Sequence, residues 1–300
     1  GGATGLGIAW NASACGYRVV LLEASDFAQG TSSRSTKLIH GGVRYLRQGQ
    51  LGMVRSALHE REFLLRSARS LVWPLHLVMP SYHRGSRWYY YAGLKLYDFL
   101  AGKRNMQPAR LLSSSNVGNL IPTIRPDGLR GGVAFCDGQF DDSRLAIAIA
   151  QTVVSDGRSA VLNYAPVVLI DTERSSGLRV VRFRDDVSSQ EFEVRARVIV
   201  NAAGVFAEQV GHLDTLEGKL DDPIRISPSR GTHLVLPRRF LPTDHALMIP
   251  NTDDGRVLFL IPWLEHTLLG TTDVATERID LEPMATENEV DYLLDHAGRY

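Results

Sequence analysis

Cysteine is nearly absent from this sequence of 300 residues. Cys15 and Cys136 stand alone and far apart, which is neither a disulfide framework nor a zinc-ligand pattern. Such usage suits a reducing compartment, the cytoplasm, and no metal is expected. Net charge is missing as well: 33 Lys+Arg meet 33 Asp+Glu, so no field of one sign gathers nucleic acid or anionic lipid. No apolar run reaches the roughly 18 residues that mark a membrane-spanning helix. The opening residues, Gly1-Gly2-Ala3-Thr4-Gly5, lack the pattern of a signal peptide. There are no repeats and no low-complexity stretches. What is present is ordinary for a globular chain, 44% hydrophobic and 22% charged, and long enough for two domains.

A glycine-rich turn normally follows a buried strand, yet none precedes Gly1, so that strand is expected to lie outside the given chain. The helix-like stretch from Asn288 to Arg299 likewise reaches the end without a stop signal. Between these points the spacing predicts a helix over Gly5–Ala14, with Gly7, Ala12 and Ala14 as its small face, and a strand over Tyr17–Glu23. The polar segment Asp26–Tyr45 is too long for an idle connection. Leu51, Val54, Leu58, Leu65 and Ala68 mark an amphipathic helix to Ser70, interrupted by Arg61 and Glu62. Asp137-Gly138 reads as a turn between short strands, and Asp142 or Ser143 as the cap of a helix ending near Asp156-Gly157. Strands follow at Ala160–Tyr164, Val167–Asp171, Arg179–Arg184 and Glu191–Arg195. A buried strand, Val198–Asn201, then enters Ala202-Ala203-Gly204 and a short helix. From Ile224 to Asp273 the chain is strand-rich, with a turn at Asp253-Asp254-Gly255.

Gly2-Ala3-Thr4-Gly5 supplies the last two glycines of G-x-G-x-x-G: Gly2 admits a pyrophosphate and Gly5 lets the helix pack closely. Glu23 lies 21 residues after Gly2, at a strand end, where a carboxylate accepts ribose hydroxyls. Together they indicate dinucleotide binding, whereas the glycines alone could be mere packing. An NAD domain would continue in βαβ units. Here a polar loop, a meander and a small-residue turn follow, so FAD is expected.

The segment Asp26-Phe-Ala-Gln-Gly-Thr-Ser-Ser-Arg-Ser-Thr-Lys-Leu-Ile-His-Gly-Gly-Val-Arg-Tyr-Leu46 closely resembles the FAD-dependent glycerol-3-phosphate dehydrogenases. Leu71-Val-Trp-Pro-Leu75, Leu94-Lys-Leu-Tyr-Asp98, Phe140-Asp-Asp-Ser-Arg-Leu145, Arg230-Gly-Thr-His-Leu-Val235, Val257-Leu-Phe-Leu-Ile-Pro-Trp263 and Gly270-Thr-Thr-Asp273 extend the match along nearly the whole chain. Asn11, Cys15-Gly16 and Leu6 depart from the family's usual first helix. The family's later Gly-Val-Arg-Pro-like and Gly-Gly-Lys-like segments would follow Tyr300. The resemblance implies an α/β fold of the D-amino-acid oxidase type, a Rossmann-like FAD domain interleaved with a mixed β-sheet substrate domain. We expect residues 1–70 and 141–215 in the first and 71–140 and 216–300 in the second. The implied reaction oxidises sn-glycerol 3-phosphate to dihydroxyacetone phosphate and hands electrons to a quinone, or in oxidase members to oxygen.

The same resemblance assigns cofactor contacts to Gly2, Thr4, Gly5, Glu23, Thr31, Ser32, Ser33, Lys37, Leu38, Gly41, Gly42, Val168, Ala202, Ala203 and Gly204. By the same resemblance Arg44 and Arg256, placed with the catalytic residues, contact substrate together with Tyr45, since a phosphate dianion suits the forked donors of arginine, although as sequence either arginine reads more readily as a surface salt bridge. Arg230 follows the same logic, and Thr272, after an apolar strand, is expected to face the substrate. His40 is the candidate base or substrate contact, because an imidazole titrates near the operating pH. It could instead simply hold flavin or backbone. His233 is the runner-up, and Asp273 is either a site or a turn residue. The aromatic run Trp88–Leu100, flanked by Arg84, Arg87, Lys103 and Arg104, suits either a membrane interface or buried packing. Two rival functions stay open: an amine or 2-hydroxy-acid oxidase of the same fold, and a catalytically silent flavin-binding module.

Overall fold

The computed structural model describes residues 1–216 and 225–300. Ile224 and the side chain of Arg44 lie outside the described part. In chain order the first elements are α1 (Ala3–Ala14), β1 (Val20–Leu22), β2 (Leu38–Ile39), α2 (Val43–Arg47), α3 (Leu51–Ser67), β3 (Val72–Pro80) and α4 (Ser86–Ala101). Next come β4 (Arg110–Leu112), α5 (Ser114–Leu120), β5 (Gly132–Phe140), α6 (Asp142–Val154), β6 (Ala160–Leu162), β7 (Val167–Thr172), β8 (Arg179–Asp185), β9 (Gln190–Ala196) and α7 (Ala207–Gly211). The last are β10 (Ser229–Arg230), β11 (His233–Pro237), β12 (Ala246–Ile249), β13 (Leu258–Trp263), β14 (His266–Gly270), β15 (Val274–Ala275) and α8 (Glu287–Gly298). They fall into two compact units: Gly1–Ser35, Asp142–Ser229 and Ala275–Pro283 in one, and Thr36–Asp141, Arg230–Val274 and Met284–Tyr300 in the other.

In the first unit β1 and β6 pair in parallel, Val20 with Ala160 through Leu22 with Leu162. Helix α1 lies on α6, and Leu6, Ala9, Ala146, Ala150 and Val153 make a core with Leu21 and Ala28. The buried side of α1 is therefore Leu6, Ala9 and Ser13, not the expected Gly7, Ala12 and Ala14 face. Strands β7, β8 and β9 form an antiparallel meander. The stretch Val198–Asn201, read as a buried strand, is neither: its residues join no ladder, and Val198 is 75% exposed. Its apolar run lacks a partner among the described residues, and hydrophobicity alone makes no strand.

The second unit is built on an eight-stranded mixed sheet, ordered β11-β14-β13-β12-β3-β5-β2, with β4 also pairing β5. One face is covered by a core containing Val117, Ile121, Ala134, Leu247, Leu269 and Leu293, the other by one containing Leu75, Leu77, Leu94, Val133, Phe135 and Ile261. With both faces buried, its strands read as apolar runs rather than alternating ones. The expected Asp137-Gly138 turn is instead the interior of β5, which pairs with β3 without a break from Val72–Phe140 to Pro80–Gly132. Gly138 also pairs Ile39 across the other edge, where an added Cβ would lie 2.9 Å from the Ile39 carbonyl oxygen. The glycine here answers a close approach of backbones, a role that a turn motif mimics in sequence.

Pairing of β2 with β5 also draws residues 36–70 into this unit, away from the expected first domain. Helix α3 follows, because Val54 and Leu58 pack on Tyr97 and Ala101 of α4. Arg61, which seemed to interrupt the apolar face of α3, lies on it and is fully buried. Residues 225–229 and Ala275–Pro283 go to the first unit rather than the second. Replacing Gly138 by Ala should push β2 off β5 and lower stability by about 1–3 kcal/mol. A thermal melt of the flavin-free protein checks this, and an unchanged Tm would contradict the close approach.

Candidate functional site

The first unit presents the start of α1. The first N–H groups of any helix lack partners within it, and this N-terminus has neither a side-chain cap from Gly2 nor an acidic residue in its first turn. Thr31–Ser33 forms a single 3-10 turn beside it, and the Ala3 N–H donates to Ser32 Oγ at 2.9 Å. Side chains are excluded here: a Cβ on Gly1 would sit 2.8 Å from Glu23 Cβ, and one on Gly2 2.9 Å from Ser32 Oγ. Ala202 lies beside Gly5, at 3.5 Å from where a Cβ would stand. Gly204 takes φ 58° as it enters the following turn. Glu23, just past β1, accepts the Ser25 N–H at 2.9 Å. Val168 is the bulged residue of β7, where the register jumps from Val167 to Leu169, so its backbone stands outside the ladder. A helix start with no cap from Gly2, a cradle that only glycine fits, an adjacent hydroxyl turn and a carboxylate at a strand end suit the diphosphate and ribose of a dinucleotide.

The second unit holds the rest of the predicted residues. Lys37, at φ 58°, places its Nζ 5.7 Å from the centre of the Trp263 ring. Its carbonyl accepts the Phe140 N–H at 3.1 Å, and Leu38 pairs Gln139. Gly41 is enclosed: a Cβ would lie 2.6 Å from Tyr97 Oη and 2.7 Å from Leu58 Cγ. Gly42 takes φ 75°, with the Tyr45 ring directly against it. The Gly42 N–H donates to His40 Nδ1 at 2.9 Å. A neutral imidazole with its Nδ1 lone pair so engaged carries its proton on Nε2 and offers a donor outward. In that arrangement Nδ1 is engaged by the backbone, and Nε2 is the ring nitrogen left to meet a ligand.

His40 is exposed, and its ring lies 6.3 Å from that of Phe259 on β13. Phe259 pairs Gly270 of β14, which pairs His233 of β11, so Phe259 and His233 share one row and one face of the sheet. Gly270 lies flush beneath the His233 ring, with no room for a Cβ. His233 Nε2 meets Thr36 Oγ1 at 2.8 Å. Two residues before β13, Arg256 is clamped by Asp254 through Nε at 2.8 Å and through Nη2. Its Nη1 is buried without a hydrogen-bond partner, the Asp273 carboxylate being 4.0 Å away. The Arg256 side chain loses charge stabilisation to partial burial but gains more from Asp254, so its pKa is raised.

Arg230 and Thr272, expected on substrate, both meet the Glu289 carboxylate. Arg230 makes a forked pair with Glu289 of α8, at 2.7 and 3.1 Å, and Thr272 Oγ1 donates to the same carboxylate at 3.0 Å. Thr232 and Thr286 complete its shell. Glu289, which the sequence reading missed, is announced by Thr286-x-x-Glu289, a capping-box pattern present at the start of α8. The other omissions are Tyr97 and Asp137. Tyr97 Oη accepts the Gly41 N–H at 2.6 Å and donates to Asp137 Oδ2 at 2.8 Å. Only Asp137, a lone acid inside an apolar strand, gave any signal.

A family model described as FAD dependent oxidoreductase, DAO, matches residues 1–300. The chain is 42% identical over 314 residues to a mitochondrial glycerol-3-phosphate dehydrogenase of Arabidopsis thaliana, covering 100% of this chain and 49% of that protein. It is 40% identical over 312 residues to the mitochondrial glycerol-3-phosphate dehydrogenase of Homo sapiens, covering 100% of this chain and 42% of that one. The chain thus spans less than half the length of these curated relatives. Among solved structures, the glycerol-3-phosphate dehydrogenase of Bacillus halodurans complexed with FAD superimposes with a TM-score of 0.77 at 26% identity, over 99% of this chain and 51% of that one. A glycine oxidase from Geobacillus kaustophilus, at 17% identity and a TM-score of 0.66 over 99% of this chain and 75% of that one, shares the fold.

Burial pushes the Glu289 carboxyl up, but hydrogen bonds from Thr286, Arg230 and Thr232 outweigh it and hold the pKa at about 2, against 4.5 unperturbed. Its contribution to stability is therefore full above pH 4.5 and fades as pH falls through about 2. Glu289→Gln should cost about 1.5–3 kcal/mol at neutral pH. In denaturant titrations the gap from wild type should close between about pH 5 and 2. A pH-independent gap would contradict an ionised Glu289 holding α8.

Proposed function

Because the chain belongs to the DAO family of FAD dependent oxidoreductases, we propose that it acts in oxidising sn-glycerol 3-phosphate to dihydroxyacetone phosphate, with the electrons passing to a quinone. The observation that carries this reading is the buried, unpartnered Nη1 of Arg256, a fixed cation with a donor to spare. A phosphate dianion supplies the acceptor it lacks. The names of the curated relatives along the full chain support the same substrate.

Gly2, Thr4, Gly5, Glu23, Ser32 and Ala202–Gly204 would hold the nucleotide of FAD, with Val168 meeting its base through the bulged backbone. Thr31, Ser33, Lys37, Leu38, Gly41 and Gly42 would hold the remainder. Bound FAD supplies the acceptor for the hydride that leaves the substrate carbon. Arg256 grips the phosphate, with Arg44 and Tyr45 as further contacts from the loop and helix that follow Gly42. His40 donates from Nε2 to the secondary hydroxyl oxygen and fixes the carbon's orientation. The hydroxyl proton passes to His233 by way of Thr36 Oγ1, which meets its Nε2 at 2.8 Å on the sheet row that also carries Phe259.

Quinone use implies work at a membrane surface. No helix among the described residues is long and apolar enough to cross a membrane. Helix α4, however, exposes Tyr89, Leu96 and Phe99 along one side, Phe99 to 80%, with Arg87, Lys95 and Lys103 nearby in sequence. An apolar stripe with basic neighbours suits an interfacial helix, which supports that partner.

Anaerobic mixing of the FAD-loaded, full-length protein with glycerol 3-phosphate should bleach the flavin band near about 450 nm. Glycine, sarcosine and lactate should not. Arg256→Ala should retain FAD and lose about 10–100-fold in kcat/KM, mostly through KM. Bleaching by glycine or lactate instead, or by none of the four, would overturn the assignment.

A further inference from the structure

We propose that Tyr97, Asp137 and Arg61 are positioning residues for His40, acting through the Gly41 backbone; this rests on the reading of His40 as the contact to the substrate oxygen. The three side chains form one buried chain of hydrogen bonds. Arg61 Nη1 meets Asp137 Oδ1 at 2.5 Å, and Tyr97 Oη donates to Asp137 at 2.8 and 3.1 Å. The chain ends where the Gly41 N–H donates to Tyr97 Oη at 2.6 Å. Arg61 is 0% exposed, and Asp137 and Tyr97 are each 2% exposed.

The direction of every bond is forced. A phenol has one proton, and because Gly41 donates to Tyr97, that proton must go to Asp137. Asp137 must then accept, and Arg61 supplies the opposing charge. Burial pushes the Tyr97 phenol well above its usual range, so the hydroxyl keeps the proton it donates. Burial also pushes Asp137 up, while Arg61 and the neighbouring His40 pull it back. Arg61 reaches the Arg104 carbonyl through Nη2 at 3.4 Å, and its Nε has no partner. A fully buried ion pair gains little over well-packed apolar side chains as a source of stability. Here it serves one end, the placement of a single buried backbone N–H adjoining His40.

That N–H matters because, among the described residues, His40 is held by the bond from Gly42 and a ring contact with Phe259. Between these two bonds lies one glycine, pressed by Tyr97 and Leu58 where no Cβ fits. Shifting Gly41 by a fraction of an ångström swings the imidazole, and a misplacement near 1 Å can cost roughly 100-fold in rate.

The test uses the FAD-loaded, full-length protein and the rate constant of flavin reduction by glycerol 3-phosphate per bound flavin. Tyr97→Phe removes only the hydroxyl. It should slow reduction roughly 10–100-fold, with KM within about twofold because Arg256 is untouched. His40→Ala should slow it at least as much, and the double variant Tyr97→Phe with His40→Ala should be no slower than His40→Ala alone. Should Tyr97→Phe fail to hold flavin, Arg61→Lys carries the test, with a smaller loss confined to kcat and likewise absent in the His40→Ala background. Normal reduction in Tyr97→Phe or Arg61→Lys beside a slow His40→Ala would overturn the proposal alone, as would additive losses in the double variant. Normal reduction in His40→Ala would overturn the underlying reading instead.

Discussion

Strand β5 is the constraint on which the second unit's chemistry depends. Four consecutive residues of it hold the loop from Lys37 to Gly41. Phe140 donates its N–H to the Lys37 carbonyl, Gln139 pairs Leu38, Gly138 pairs Ile39, and Asp137 reaches Gly41 through Tyr97. The other edge of the same strand is paired with β3 along its whole length. A loop that is polar and irregular in sequence thus inherits the rigidity of a central strand. Loops that carry chemistry need such a scaffold, because positional error costs rate more steeply than it costs stability.

Charge in this molecule is spent at a few enclosed places. Arg230 with Glu289 and Arg256 with Asp254 are each joined by two or more hydrogen bonds, and Arg61 with Asp137 by one. They differ in what is left over. The Glu289 carboxylate is surrounded by donors and ties α8 to the loops around Arg230 and Thr272. Arg256 retains a buried nitrogen without an acceptor. A guanidinium so placed stays charged and oriented before any ligand arrives, so less is lost on binding an anion.

Local patterns in the sequence sufficed for much of this. The glycines at the start of α1, the carboxylate of Glu23, the meander β7–β9 and the helices α3, α6 and α8 follow from turn chemistry and periodicity. The failures share one cause, which is that pairing partners are distant in sequence. Asp137-Gly138 carries the chemistry of a turn, and only the approach of Ile39, nearly a hundred positions away, shows why a glycine is needed in mid-strand. Val198 and Val200 have the composition of a strand but find no ladder among the described residues. Arg61 looked like a break in an apolar face because its counter-charge lies on β5. Arg230 and Arg256 are indistinguishable as sequence; in the fold the first is forked on Glu289, while the second pairs Asp254 and keeps Nη1 unpartnered.

The most direct measurement is a crystal structure of the full-length protein with FAD and a non-oxidisable analogue of glycerol 3-phosphate. His40 Nε2 should lie within hydrogen-bonding distance of the atom that replaces the secondary hydroxyl. Arg256 Nη1 should lie on the phosphate, with the Gly41 N–H still on Tyr97. A phosphate bound away from Arg256, or a His40 ring turned from the analogue while the Gly41 contact persists, would contradict it.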